Sequence, residues 1–322
     1  MLTNIVIGMM IAVVIHIWHN SAIISRIENS AMDFMIQWTQ GIISSEDQTI
    51  PFVFIDIDEA TYRNWGEPAT TPKDKLTDIL RFVRSGSPLL AVVDIDTSER
   101  EASDIGETLE VSGLMDLLSN WSDANQEDSS PAETSVLFVR GFRASLNSEA
   151  KHMELRKSPL DPVLAENDYF HSTSPLFERS LYDHTIRHWR LFERTCNDGI
   201  GNVIPSVQLV ATARIYAGNN NLSTLYNALN QYRPDDCATR KELPGRSLVL
   251  GNQQLNLVGD RINDRIIYKI PWANGAVDPS QVDSVTHQGQ EVSLVTHLSA
   301  GVITDSDSKL DPSLLKDRIV VI

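Results

Sequence analysis

FVFIDID (residues 52–58) and LLAVVDID (residues 89–96) are two apolar runs that each end in Asp-x-Asp. Their continuous apolar character is typical of strands buried on both faces, as in parallel sheets. Between them, a helix is predicted to start with Thr71 as its N-cap and Pro72 in its first turn. Apolar residues then recur at helical spacing, at Leu76, Ile79, Leu80 and Val83. Strand, helix and strand over residues 52–96 predict a parallel unit with a right-handed crossover.

Composition excludes one class of partner. The chain has 322 residues, of which 42% are hydrophobic, and it is therefore long and apolar enough to bury one large core or two modest ones. Its net charge is −16, and its 27 Lys and Arg residues are thinly spread. A nucleic-acid surface needs a basic stripe to displace counterions. We therefore predict no nucleic-acid partner.

The first residues have the hydropathy of a membrane segment. Residues 2–25 contain no Asp, Glu, Lys or Arg, and roughly 20 residues of helix cross a bilayer core. We predict an uncleaved transmembrane signal anchor over residues 1–24, with the lipid bilayer as its partner. The alternative is a buried core helix, because His16, His19 and Asn20 interrupt the apolar run.

Residues 25–43 predict a juxtamembrane helix with one apolar seam. The seam consists of residues spaced alternately three and four apart, like positions a and d of a heptad: Ile24, Ile27, Ala31, Phe34 and Trp38. It can pack on its own domain or on a partner, and the sequence leaves both open.

The polar residues 44–48 mark the start of an α/β domain over residues 44–322. Further apolar stretches predict strands over residues 135–139, 184–192, 247–250, 265–270 and 319–322, and helices over residues 204–215 and 291–302. The predicted fold class is α/β: an N-terminal transmembrane helix, then a mixed, largely parallel sheet with flanking helices. The sequence ends within an apolar strand, which predicts that the natural protein continues beyond Ile322.

Four acids stand at the ends of the two Asp-x-Asp strands: Asp56, Asp58, Asp94 and Asp96. The carboxyl ends of parallel strands face the ligand crevice, so we expect these acids within a few ångströms of one another. They can cap the following turns and helices, or they can bind a ligand. Asp56, Asp58 and Asp94 could also hold Mg²⁺ or Ca²⁺, and catalysis by the same acids is the third interpretation.

The sequence offers this acid cluster no catalytic companion. No obvious nucleophile or lysine partner lies near these acids, and no phosphate loop, serine elbow, HExxH or dinucleotide fingerprint occurs in the chain. We therefore predict that this chain is not an enzyme and that it has no cofactor other than the Mg²⁺ or Ca²⁺ considered above.

A basic concentration lies further along the chain at Arg187, Arg190 and Arg194, with His184 and His188. Arginine forks suit carboxylate or phosphate ligands, so Arg187 and Arg190 could hold an anionic ligand. The alternative is that they are strand-face charges paired with nearby acids. The two histidines would form a metal pair on a helix, but their segment is predicted as a strand.

Cys196 and Cys237 are the two cysteines of the chain. In an oxidising compartment they could form a disulfide, which is worth about 4 kcal/mol on the chain-entropy model. In a reducing compartment they would be two small buried hydrophobic residues.

Five stretches carry a family resemblance: VFIDIDEATYRNWGEP (53–68), LTDILRFVRSGSPLLAVVDIDTSE (76–99), DHTIRHWRLF (183–192), IPSVQLVATA (204–213) and SAGVITDSDSKLDPSLLKDRIVVI (299–322). Together with the preceding membrane segment and RIENSAMDFMIQW (26–38), they make the chain similar to the second family of CHASE domains. These are extracytoplasmic sensory modules associated with bacterial cyclases and histidine kinases. The resemblance implies a sensory domain on the periplasmic side of the cell (inner) membrane, which binds a small ligand or a protein partner and signals through its anchor.

Two other functions remain open at this point. The same fold could serve as the docking surface of an accessory or structural subunit of a membrane complex, which senses no ligand; the chain could also assemble as a homo-oligomer. The acid cluster could instead serve a divalent-metal-dependent hydrolase.

Overall fold

The structure is a computed structural model, and it describes residues 22–39, 50–98, 107–121, 134–145, 152–180, 183–217, 219–239, 247–250, 253–256, 284–287, 289–305 and 309–322, with residues 5, 7 and 307. The chain forms two compact units. The first comprises Met1–Asp47 and Ile267–Asp283, and the second comprises Gln48–Ile266 and Ser284–Ile322.

In the first unit the described element is helix α1 (Ala22–Thr39), which contains most of the predicted juxtamembrane helix. Nearly all of the predicted membrane anchor over residues 1–24 lies outside the described residues. Among the helices that the structure describes, none combines the length and the apolar character needed to cross a bilayer.

The second unit contains the remaining elements. In chain order, its strands are β1 (Phe52–Asp56), β2 (Leu90–Val93), β3 (Ser135–Val139), β4 (Phe142–Arg143), β5 (Glu154–Leu155), β6 (Phe170–Thr173), β7 (Phe177–Arg179), β8 (Ile186–Trp189), β9 (Phe192–Asn197), β10 (Ile200–Pro205), β11 (Ser247–Leu250), β12 (Gln253–Asn256), β13 (Ser284–His287), β14 (Gln290–Ser293), β15 (Val295–Ser299) and β16 (Ile319–Val321). Its helices are α2 (Glu59–Asn64), α3 (Lys73–Gly86), α4 (Glu107–Ser119), α5 (Asp161–Glu166), α6 (Val207–Ala217), α7 (Asn219–Asn230) and α8 (Ala300–Ile303), with a 3₁₀ helix at Pro312–Leu315.

A six-stranded sheet with the order β15-β1-β16-β2-β3-β6 is the centre of this unit. Every neighbouring pair in it is parallel. The predicted α/β fold with a largely parallel sheet is therefore confirmed. The two Asp-x-Asp strands are not neighbours, however, because β16 lies between them: Ile319 pairs with Phe52 on one side and with Leu90 on the other.

Both faces of the sheet are covered at its inner strands β1, β16, β2 and β3, which explains why these four strands are mainly apolar. On one face, Val53, Ile55, Ala91 and Val93 pack against α3, whose predicted stripe of Leu76, Ile79, Leu80 and Val83 is fully buried. On the other face, Leu90, Val92 and Leu137 pack against α6, α7 and the β9–β10 hairpin. Each fully buried aliphatic side chain contributes about 1.5–3 kcal/mol to stability.

Several predicted boundaries are wrong. Helix α3 begins at Lys73 with Pro72 as its N-cap, so Thr71 is not the cap. The helix predicted to begin at residue 204 begins at Val207, because residues 204 and 205 complete β10. The β9–β10 hairpin turns through Asp198 and Gly199, whose φ values of 52° and 79° are those of a type I′ turn.

The prediction of a helix over residues 291–302 is also wrong. Most of that segment forms β14 and β15, and only Ala300–Ile303 is helical. Strand β15 pairs with β1 over five residues, from Phe52 with Val295 to Asp56 with Ser299. The spacing of apolar residues in this segment favours a helix, but pairing with the buried strand β1 makes it a strand.

Candidate functional site

The candidate site is the carboxyl edge of the sheet, which we define by the ends of β1, β16, β2 and β3. Asp56 is the last residue of β1, and Asp94 follows β2. Because β16 separates these strands, their ends lie about 10 Å apart, or two strand spacings. The backbone of Ile322 occupies the space between them and accepts a hydrogen bond from the Asp94 N–H at 2.8 Å. The prediction that the four acids gather within a few ångströms is wrong for these two strands.

Asp56 has a partner on the neighbouring strand β15. Its Oδ2 lies 2.6 Å from Nδ1 of His297, and the His297 ring stacks on Phe54 with 5.3 Å between ring centroids. The side chains of Asp56 and His297 are 46% and 52% exposed. This pair is therefore a partly hydrated surface contact between the edge strand and β1.

Asp58 caps helix α2. Its Oδ1 accepts a hydrogen bond from the Thr61 N–H at 2.7 Å. That bond is the main cause, and a hydrogen bond from the Ser299 side chain the second, of a pKa of Asp58 that lies below its ordinary value. The Thr61 hydroxyl in turn lies 3.0 Å from Ser299 Oγ and accepts from the Gly301 N–H at 3.0 Å. Asp58 and Thr61 therefore join the start of α2 to the start of α8.

Asp96 closes a turn and forms an ion pair. It accepts a hydrogen bond from the Ser98 N–H at 3.0 Å, and its Oδ2 lies 2.6 Å from Nη1 of Arg156. Burial raises the pKa of Asp96, but the hydrogen bonds from Ser98 and the Arg156 guanidinium outweigh burial, so that the pKa is lowered. Asp94, by contrast, is exposed. Asp58 and Asp96 thus have the capping and turn-closing roles that the sequence left as one interpretation.

Arg140 is the residue of this edge that sequence reasoning missed. It follows β3 directly, and its side chain is only 1% exposed. Its guanidinium donates to Asp161 Oδ1 at 2.5 Å and to the carbonyl of Arg156. Asp161 Oδ2 also accepts from the Ser158 N–H at 2.9 Å, and the Ser158 hydroxyl donates to the Thr97 carbonyl at 2.8 Å. The signal available in the sequence was an arginine immediately after the apolar run of residues 135–139.

We refer to Thr97, Arg140, Arg156, Ser158 and Asp161 as the Arg140 network. The network fastens the segment around α5 to the ends of β2 and β3. It also positions Arg156, whose guanidinium faces Asp96 at the exposed surface. The buried Arg140 guanidinium has Asp161 as its counter-charge and the Arg156 carbonyl as a second acceptor, whereas its Nε has no hydrogen-bond partner among the described groups. These contacts hold the exposed side chains of this part of the edge on a buried support.

The predicted basic cluster lies elsewhere. Arg190 follows β8, and its N–H donates to the carbonyl of Leu176, three residues beyond the end of β6. In the sheet, β6 and β1 are separated by three strands, so their ends are about 19 Å apart. The structure therefore does not bring Arg190 to Asp56.

Arg190 is paired within its own segment. It forms an ion pair with Glu193, which agrees with the strand-face interpretation. Arg187 belongs to β8, but its side chain is outside the described part of the structure. His188 lies in the same strand, so the helical spacing that would make it a metal pair with His184 is absent.

A second polar feature lies in the core, on the face of α6 and α7. The rings of His171 on β6 and Tyr226 on α7 stack with 5.4 Å between centroids. Burial lowers the pKa of His171 to about 4 and raises that of Tyr226. His171 Nε2 and the Tyr226 hydroxyl have no hydrogen-bond partner among the described groups. The imidazole is therefore neutral in the folded protein at neutral pH.

Chemically, the carboxyl edge presents exposed carboxylates beside one guanidinium and one imidazole. Among the described residues, no group of three or more His, Cys, Asp or Glu side chains is arranged to hold a metal ion. The edge as described is suited to recognising a polar ligand or a protein surface.

One known protein-family model matches a range of the chain that includes every strand of the six-stranded sheet. The family model described as CHASE2 domain matches residues 8–322, a range that includes both Asp-x-Asp strands and β16. No curated protein and no solved structure matches the chain. The family resemblance inferred from the five sequence stretches is therefore confirmed.

Proposed function

Because the chain belongs to the CHASE2 domain family, we propose that it is the sensory domain of a membrane receptor, anchored by a helix within residues 1–24. CHASE2 domains are extracytoplasmic sensory domains of signal-transduction receptors and are not catalytic. The match over residues 8–322 is the observation that carries this proposal, because it spans the domain together with most of the apolar N-terminal segment.

We place the recognition surface of this domain at the carboxyl edge of the sheet. Asp94 is exposed there, and Asp56 and Asp96 are about half exposed, while the backbone and the Arg140 network beneath them are held by buried contacts. A small ligand or a protein partner that spans Asp56 and Asp94 touches the ends of β1, β16 and β2 at once. Such contact would favour one of two arrangements of the domain, and α1 would carry the difference toward the anchor.

The disulfide supports the extracytoplasmic side. Cys196 on β9 is bonded to Cys237, which follows α7, with 5.8 Å between their Cα atoms and a sequence separation of 41. Such bonds persist in oxidising compartments such as the periplasm and are rare in the cytoplasm. Closing a loop of this length contributes about 4 kcal/mol to stability on the chain-entropy model.

The redox state of this pair in cells tests the location. Cells that produce the full chain are quenched in acid, and free thiols are then alkylated with a maleimide that adds visible mass. We expect no alkylation of the full chain unless a reductant is added first. A variant without residues 1–24 is the matched control, and we expect alkylation at both cysteines because it stays in the reducing cytoplasm. Free thiols in the full chain would contradict the extracytoplasmic placement.

A metal titration tests what kind of ligand the edge takes. The purified full chain is melted with increasing Mg²⁺ or Ca²⁺, and so is an Asp94→Asn variant. We expect the same melting temperature at every metal concentration, because Asp56, Asp58 and Asp96 already have protein partners. A rise that occurs in the full chain and is lost in Asp94→Asn would instead establish divalent-metal binding and would reopen the hydrolase alternative.

A further inference from the structure

Helix α1 exposes a continuous apolar face. The exposed fractions are 61% for Ile27, 61% for Phe34 and 74% for Trp38, and Ala31 between them is exposed as well. The rings of Phe34 and Trp38 contact each other edge to face, with 6.0 Å between centroids. Several large apolar side chains exposed side by side mark an interaction surface.

The spacing of this face fits a second helix. Together with Ile24, these residues form the seam defined from the sequence, which alternates steps of three and four residues. This is a repeat of 3.5 residues, the period that keeps a stripe turned toward a partner helix. Ile36 falls at heptad position f, opposite the seam, and it is only 9% exposed. Ile36 is therefore buried, whereas the four seam residues whose side chains the structure describes, Ile27, Ala31, Phe34 and Trp38, are exposed.

We propose that a second copy of this chain covers the seam, so that two α1 helices pair in parallel and in register. In that arrangement each seam residue meets its own counterpart, which makes the surface self-complementary about a two-fold axis. Ala31 allows close approach of the helices at the middle of the seam, and Phe34 and Trp38 fill the layers that follow.

The charge pattern permits this pairing. By heptad position, all charged residues of α1 lie outside a, d and g: Arg26 and Asp33 at c, and Glu28 at e. Across a parallel pair, position g of one helix faces position e of the other, which brings Ser30 to Met35 and Ile23 to Glu28. No like charges oppose one another, although the chain as a whole carries a net charge of −16.

The parallel orientation rests on the proposed function. Two copies anchored in one membrane hold their α1 helices in the same direction and at high local concentration. That proximity offsets the shortness of a seam of about two heptads, since isolated helices shorter than ~12–15 residues are marginal in water. Free in solution, the same seam is expected to associate only weakly.

Single-cysteine crosslinking of the full chain in lipid vesicles tests the pairing. Ala31→Cys places a thiol in the seam, and Met32→Cys places one on the neighbouring residue at position b, which is also exposed. The native cysteines are joined to each other, and the parent chain controls for any crosslink they make. With a mild oxidant, we expect covalent dimers of Ala31→Cys to exceed those of Met32→Cys several-fold. Equal crosslinking at the two positions, or none at Ala31→Cys, would overturn the proposal.

A charge in the seam gives a second readout. Phe34→Glu should weaken the pair by on the order of tenfold or more, because it places a charge in an apolar contact layer of both copies. Energy transfer between donor- and acceptor-labelled full chains in vesicles measures this loss, and Met32→Glu is the matched control. Loss of the signal in both variants, or in neither, would also count against the seam.

Two results separate this proposal from the proposed function. A monomeric chain whose α1 side chains contact lipid identifies the bilayer as the occupant of the seam and overturns the pairing. Crosslinking is measured on purified protein, so it can succeed or fail independently of the thiol assay for location in cells.

Discussion

Replacing Asp161 by alanine should remove the charged partner of a buried guanidinium. Arg140 is 1% exposed and donates to Asp161 at 2.5 Å, and the other oxygen of Asp161 accepts from the Ser158 N–H at 2.9 Å. After Asp161→Ala, Arg140 keeps the Arg156 carbonyl as a hydrogen-bond partner, but it has no other ion-pair partner among the described residues. The Ser158 N–H loses its acceptor at the same time.

The expected loss in the free energy of unfolding is about 3 kcal/mol. Breaking a buried ion pair costs roughly 3–5 kcal/mol, and we take the lower end because Asp161 is 44% exposed and water screens it. Asp78→Ala is the matched control. Its ion pair with Arg81 is also short, at 2.8 Å, but the side chains are 42% and 62% exposed. Exposed pairs on one helix contribute about 0.3–0.5 kcal/mol.

Urea unfolding of the full chain, followed by tryptophan fluorescence, measures both losses. If Asp161→Ala costs no more than Asp78→Ala, the Arg140 network does not hold the segment around α5 to the sheet. A second variant distinguishes charge from packing. Adding Arg140→Met to Asp161→Ala should restore part of the lost stability, because no uncompensated buried charge remains.

Two further predictions concern the junction of α8 and the core histidine. Gly301→Ala places a Cβ 2.6 Å from Thr61 Oγ1, so it should lower the free energy of unfolding by about 1–3 kcal/mol. Gly113→Ala meets open space around the new Cβ, so it should raise the free energy of unfolding by up to about 1 kcal/mol. Thermal melting compares the two variants with the parent chain. His171 is neutral when folded, and its pKa of about 4 lies below the ordinary 6.5, so the unfolded chain takes up the proton first as the pH falls. The contribution of His171 to the free energy of unfolding should therefore be fully present above pH ~6.5 and should be about 2 kcal/mol smaller at pH 5. Urea unfolding midpoints measured across this pH range should show the loss in the parent chain and not in His171→Phe.

The sequence predicted the strand–helix–strand core correctly for a local reason. The stripe on α3 and the apolar runs of β1 and β2 each report their own burial, since a residue's side of a helix or strand follows from its spacing. All four stripe residues of α3 are fully buried. The segment over residues 291–302 shows the limit of this reasoning, because its strand exists through pairing with β1, about 240 residues earlier in the chain.

The site was predicted in part. The positions of Asp56, Asp58, Asp94 and Asp96 at strand ends followed from the sequence, and so did capping as one of their roles. Arg140 was missed because its partner, Asp161, lies 21 residues away in a segment without regular periodicity. Its burial depends on how that segment folds back over the end of β3.

The sequence by itself determined the strand type, the amphipathic helix and the family, because these are carried by residues close together in the chain. Only the tertiary structure decided which strands are neighbours. The last strand, β16, pairs between β1 and β2, and it thereby sets Asp56 and Asp94 on opposite sides of Ile322. Strand order depends on backbone pairing between distant segments, and apolar strands that are buried on both faces carry no local mark of their partner.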